Sequence, residues 1–166
     1  MRWKRPIAKC GGLIVNKLRT LSQVKDFGGT LVHGCFDLVH FGHVRLLTLA
    51  RELMPHAPLT VSITDDAFIH KGPGRPVFSS AERAEVLAAL GCVDYVVIVE
   101  HETSIPILNM LRPRYYVKGK EYENAVGAAY EEAMAARAIG AALWYAETHF
   151  SSTEYLKRMH DARLSD

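Results

Sequence analysis

The residues best suited to chemistry crowd into one stretch, His33-Gly34-Cys35-Phe36-Asp37-Leu38-Val39-His40-Phe41-Gly42-His43. His40 and His43 are spaced to share one face of a helical turn, where two imidazoles can address adjacent oxygens of a phosphate. Gly34 lets an anion approach the backbone, and a helix beginning near residue 42 points free amides and the positive end of its dipole at it. Two other readings use the same residues: core or capping histidines, and a metal site built from His33, Cys35, Asp37, His40 and His43. Zinc ligands usually recur in tighter, defined pairings, but the cluster taken alone does not choose among the three.

Three further segments carry polar groups suited to anions. Lys71-Gly72-Pro73-Gly74-Arg75-Pro76 is a turn-rich loop whose two cations could neutralise phosphates, or simply be solvated. Tyr116-Val117-Lys118-Gly119-Lys120-Glu121-Tyr122 runs from an apolar stretch into a polar loop. Phe150-Ser151-Ser152-Thr153-Glu154 opens an amphipathic segment, so its hydroxyls and amides either cap a helix or form a second anion cradle facing the first.

Periodicity supplies the framework on which these groups are mounted. Short apolar runs near residues 30–33, 59–63, 94–99, 114–118 and 142–146 read as strands, and amphipathic stretches near 42–54, 80–90, 104–111, 125–139 and 152–162 read as helices. Ser79 with Glu82, and Ser151 with Glu154, fit the capping box. Gly91 and Gly140 stand where a glycine would end a helix. Alternation of this kind predicts an α/β fold with a doubly wound, five-stranded parallel sheet, Rossmann-like, with ligands at the carboxyl ends of its strands. A single domain over residues 21–166, preceded by an extension over residues 1–20, suits the length.

The chain has 166 residues, 49% hydrophobic and 23% charged, with a formal net charge of +2, an ordinary globular balance unlike the low hydrophobicity and high net charge of disordered chains. So small a net charge implies no partner nucleic acid and no membrane surface. Cys10, Cys35 and Cys92 lack CxxC spacing and suit free or buried thiols in a reducing compartment. Met1-Arg2-Trp3-Lys4-Arg5 has the charge of a signal n-region, but Pro6, Lys9, Gly11 and Gly12 break up the segment where an apolar core would have to form, so a cytoplasmic location is expected. Trp3, Trp144, Tyr95 and Tyr155 join no motif and read as packing residues.

Gly34-Cys35-Phe36-Asp37 followed by His40-Phe41-Gly42-His43 resembles the GxFDxxHxGH signature of the cytidylyltransferase-like nucleotidyltransferases. The Lys71–Pro76 loop, Ser79-Ser80-Ala81-Glu82-Arg83 and Val93-Asp94-Tyr95-Val96-Val97 resemble the KGPGRP, ER and VDxVV runs of the adenylyltransferase domain in bacterial glycero-manno-heptose biosynthesis. Lys118-Gly119-Lys120-Glu121-Tyr122 resembles that group's KGxDY run, with Glu121 in place of aspartate. Ser151, Ser152 and Thr153 are similar to the family's phosphate-gripping serines and threonines. Glu147-Thr148-His149 stands where glycerol-phosphate cytidylyltransferases carry an arginine.

The resemblance implies transfer of a nucleoside monophosphate, AMP from ATP, onto a phosphorylated sugar such as heptose-1-phosphate, with release of pyrophosphate. The alternatives are a cytidylyltransferase acting on CTP and glycerol-3-phosphate, and a binding module without turnover. It implies His40, His43 and Lys71 as catalytic residues. It further implies that Gly34, Cys35, Phe36, Asp37, Gly42, Arg75, Arg83, Lys118, Ser151, Ser152 and Thr153 bind the nucleotide. Mg2+ is expected on the substrate phosphates, with no protein ligand named. A homodimer is compatible with the resemblance, and no sequence feature requires one. A redox dinucleotide domain is disfavoured because no GxGxxG follows the first strand.

Overall fold

In a computed structural model that describes residues 16–147, the chain forms one parallel sheet with helices on both faces. The strands are β1 (Leu18–Arg19), β2 (Thr30–Gly34), β3 (Leu59–Thr64), β4 (Tyr95–Val99), β5 (Tyr115–Gly119) and β6 (Ala142–Ala146). The helices are α1 (Phe41–Leu53), α2 (Ser80–Ala88), α3 (Ile105–Leu111) and α4 (Ala128–Ala138). The doubly wound parallel sheet is as expected, except that it has six strands rather than five. The additional strand, β1, pairs only Leu18 with Val96 and Arg19 with Val97. Two residues are too few to display a period, so tertiary pairing alone makes this segment a strand.

Strand order is β1-β4-β3-β2-β5-β6. From β2 the chain winds outward to β3 and β4, then returns across the sheet to place β5 on the other side of β2. The winding therefore reverses between β2 and β5, and a crevice opens beyond their carboxyl ends.

Both faces of the central strands are covered, so successive residues enter different cores. Val32, Val61, Val96 and Val117 pack with Leu46, Leu47, Ala84 and Leu87 of α1 and α2. Their neighbours Leu31, Val97 and Tyr116 pack with Ile107, Leu108, Leu111 and Ala136 of α3 and α4. Helix α2 starts at the expected capping box: Glu82 accepts from the Ser79 amide at 2.9 Å, and the Ser79 hydroxyl accepts from the Glu82 amide. Gly140 closes α4 at a φ of 80°, and the amide of Ala141 bonds the carbonyl of Ala136 at 2.9 Å. Gly91 does not cap α2, which ends at Ala88 with Ala89 as its cap. The last expected helix, its Ser151–Glu154 capping box, Trp3, Tyr155 and Cys10 lie outside the described residues.

Candidate active site

A cavity of about 160 Å³ opens beyond the carboxyl ends of β2 and β5, at the reversal of strand order. Gly34, Cys35, Phe36, Asp37, His43, Lys71 and Lys118, all expected to serve the site, line it together with His33, Leu46, Gly119, Glu121 and Tyr122. A larger groove of about 520 Å³ beside β1 and β4 contains none of the expected site residues.

The turn out of β2 is shaped by Phe36, which adopts a φ of 49° and tilts its ring against that of His43, with centroids 4.9 Å apart. A side chain at Gly34 would place its Cβ 3.1 Å from the Phe36 ring. Any larger residue there would push the Phe36 ring by a few tenths of an ångström, so the glycine suits this fold-back as well as a close anion. His40 is the N-cap of α1, and its Nδ1 accepts from the Gly42 amide at 3.1 Å, which places the proton of the neutral ring on Nε2. That amide, expected to face an anion, is thus taken by the imidazole.

The His40 and His43 rings stack with centroids 3.9 Å apart. Burial lowers the pKa of His40. Burial, then the fields of His40 and Lys71, hold His43 down at about 4, its Nδ1 is buried without a hydrogen-bond partner, and both rings are neutral at pH 7.

Asp37 faces the loop rather than the open cavity. Its carboxylate accepts from Arg75 Nε and from the amides of Val77, at 2.6 Å, and Phe78, at 3.3 Å. Burial raises its pKa, but the hydrogen bond from Arg75 and those two amides outweigh it, and the carboxyl lies below its ordinary value. Arg75, expected among the phosphate-binding cations, is held in that ion pair. Arg83 is fully buried and donates to the carbonyls of Phe78, Cys35 and Thr64 and to Asp66 at 2.6 Å. It stitches the ends of β2 and β3 to the start of α2. Lys71 is exposed between two anchors, the Arg75–Asp37 pair and the His70–Glu102 pair at 3.1 Å.

On the opposite wall, Lys118 donates to Glu132 of α4 at 2.6 Å, and its ammonium lies 4.6 Å from the Tyr122 ring centroid. Glu132 was not anticipated from the sequence. It falls on the apolar stripe of α4 with Ala135, Ala136 and Ile139, and a glutamate on such a stripe was the available signal. His33 shares a hydrogen bond with Ser62 at 2.9 Å through Nδ1, and its Nε2 lies 3.7 Å from Glu132 Oε1. Among the described residues no group of three or more His, Cys, Asp and Glu is arranged to hold a metal ion. Ser151, Ser152 and Thr153 lie outside the described residues.

A doubly wound sheet with paired neutral histidines and two lysines at its reversal defines a phosphate-handling nucleotide domain. A cytidylyltransferase-like family model matches residues 31–158, and the chain belongs to that family of nucleotidyltransferases. Its curated relatives include the bifunctional protein HldE of Syntrophotalea carbinolica, 44% identical over 125 residues, 68% of this chain and 25% of that protein. The HldE of Helicobacter pylori is 43% identical over 109 residues, 64% of this chain and 23% of that one. The chain thus spans about a quarter of the length of the curated relatives it matches. A solved lipopolysaccharide core biosynthesis protein from Thermoplasma volcanium superposes with a TM-score of 0.61 at 18% identity, over 74% of this chain and 98% of that one, a likeness of fold. Among the described residues no helix is long and apolar enough to cross a membrane.

Proposed function

We propose that this domain transfers AMP from ATP to a sugar phosphate such as heptose-1-phosphate and releases pyrophosphate. The observation that carries the reading is the convergence of His43, Lys71 and Lys118 on one cavity at the β2/β5 reversal. The KGPGRP and KGxDY resemblances, with the 44% identity to an HldE protein, support the choice of donor and acceptor.

An acceptor phosphate oxygen forms a bond to the α-phosphorus. The bond from that phosphorus to the bridging oxygen breaks, and pyrophosphate leaves with the electron pair. No side-chain nucleophile is required, so positioning and charge neutralisation supply the acceleration. His40 and His43, as neutral donors, hydrogen-bond the α-phosphate as its charge redistributes. Lys71 bridges donor and acceptor phosphates, Lys118 holds the nucleotide from the opposite wall, and Ser151, Ser152 and Thr153 hold the departing pyrophosphate. Arg83 and Arg75 serve by fixing the loops that carry these groups. The substrate phosphates, rather than a protein ligand, would carry any Mg2+, which would neutralise part of their charge.

The test is pyrophosphate release with ATP, CTP, GTP and UTP crossed against heptose-1-phosphate, other sugar phosphates, glycerol-3-phosphate and phosphoethanolamine. ATP with a sugar-1-phosphate is expected to give the highest kcat/KM. A higher value for CTP with glycerol-3-phosphate would overturn the substrate assignment, and nucleotide binding without pyrophosphate release in any pairing would leave a binding module.

A further inference from the structure

We propose that Glu132 is a positioning residue for the nucleotide: its buried carboxylate is the counter-charge that fixes the Lys118 ammonium at the cavity wall. The inference rests on the reading of the cavity as a nucleotide site and adds to it a residue that does not line the cavity.

The Glu132 side chain is 5% exposed and the Lys118 side chain 9%. Both carboxylate oxygens are engaged. Oε1 accepts from the Ser104 amide at 2.7 Å, and Oε2 accepts from the Tyr116 hydroxyl at 3.0 Å and from Lys118 Nζ at 2.6 Å. Tyr116 also exchanges a hydrogen bond with the Ser104 hydroxyl at 2.8 Å, so the carboxylate is tied to β5 and to the start of α3. His33 Nε2 lies 3.7 Å from Oε1.

Three donors on one buried carboxylate leave it little freedom to follow a moving lysine, so the lysine is held to it. Burial raises the Glu132 pKa, but the charge of Lys118 and the hydrogen bonds from Lys118 and the Ser104 amide outweigh it, and the group is ionised. Removing the anion that faces a buried ammonium favours the ammonium's neutral form.

The other groups around the ammonium do not replace Glu132. Tyr116 and Tyr122 flank it with rings, and burial raises the pKa of both hydroxyls. His33 is held at about 4, first by burial and also by Lys118, while Glu132 opposes this, and it is neutral. Across the cavity stand Cys35, Asp37, His43, Lys71 and Glu121. Of the carboxylates, Asp37 is committed to Arg75, and Glu121 sits on the exposed 3-10 turn after β5. Glu132 is therefore the buried counter-charge that holds Lys118 where it can meet a phosphate.

The test is the affinity of the whole chain for Mg-ATP and Mg-CTP by calorimetry between pH 6.5 and 9.5, with folding checked by thermal melting. Wild type is expected to bind with no lysine-like loss of affinity over this range. Glu132→Gln is expected to bind about tenfold more weakly at neutral pH, then to weaken by up to about tenfold per pH unit above a newly lowered lysine pKa. Lys118→Met should be weak without that pH dependence, and Glu132→Gln should add nothing in its background.

A folded Glu132→Gln protein with wild-type affinity and pH profile overturns the proposal, as does an equal further loss in the Lys118→Met background. If Glu132→Gln does not fold, Glu132→Asp decides. A wild-type pH profile with affinity within about threefold supports the proposal, and a titrating profile overturns it. Failure of the wild type to bind either nucleotide would instead sink the functional reading, and the proposal with it.

Discussion

Two neutral imidazoles stacked at the start of α1 can each present a donor to a phosphate without adding fixed charge to the cavity. Such a donor matters most where charge shifts during the reaction, since the ground-state triphosphate has the lysines to hold it. We expect His43→Ala to lower kcat by about 100-fold to 1,000-fold, the cost of losing one preorganised donor, with a smaller change in nucleotide KM. Pyrophosphate-release kinetics check this. Near-normal turnover in a variant of unchanged Tm would return His43 to packing against Phe36. Because His43 is held at about 4, its protonation should not produce an acid limb between pH 6 and 8.

The segment between β3 and α2 is an element whose shape depends on residues distant in sequence. Asp37 grips Arg75 and two backbone amides, and Arg83 bonds the carbonyl of Phe78 at 3.1 Å from the first turn of α2. These contacts present Lys71 to the cavity. Asp37→Asn keeps the size but points an amide toward the guanidinium, leaving a buried donor poorly matched at a cost of about 1 to 3 kcal/mol. We expect a loss of that order in urea denaturation and about a tenfold rise in acceptor KM, with nucleotide affinity changed less. If nucleotide affinity falls most, Asp37 contacts the nucleotide directly. Wild-type kinetics would show that the loop is held without it.

For the fold as a unit, the decisive buried group is His33, which sits where β2, β3, β5 and α4 meet, neutral and held at about 4. As pH falls below the ordinary histidine value near 6.5, the unfolded chain takes up a proton that the folded chain refuses. The unfolded state therefore binds more protons between about pH 6.5 and 4, and stability falls through that window. The shift corresponds to on the order of 3 kcal/mol at its lower end. Urea midpoints at pH 7.5, 6.5, 5.5 and 4.5 should fall steadily, and His33→Gln should fall less steeply than wild type. Parallel slopes would assign the acid sensitivity to His43 or to the carboxylates.

Local sequence was enough to dictate the α/β class, five of the strands, the four described helices and the crowding of histidines and lysines near one sheet edge. Each of those is written locally: a run of apolar residues long enough to show its period, a serine and glutamate three apart, histidines spaced by a helical turn. Tertiary packing settled what depends on a partner far along the chain. A two-residue strand at Leu18–Arg19 exists only because β4 offers an edge. That Arg75 pairs through Nε with Asp37, and Arg83 with Asp66 and three carbonyls, is visible only in the fold. Glu132 reads as one more charge on α4 until the sheet brings Lys118, 14 residues earlier, to within 2.6 Å. Charge and spacing announce which groups can meet an anion, but only packing determines which are already paired, because a buried charge is costly unless a partner faces it.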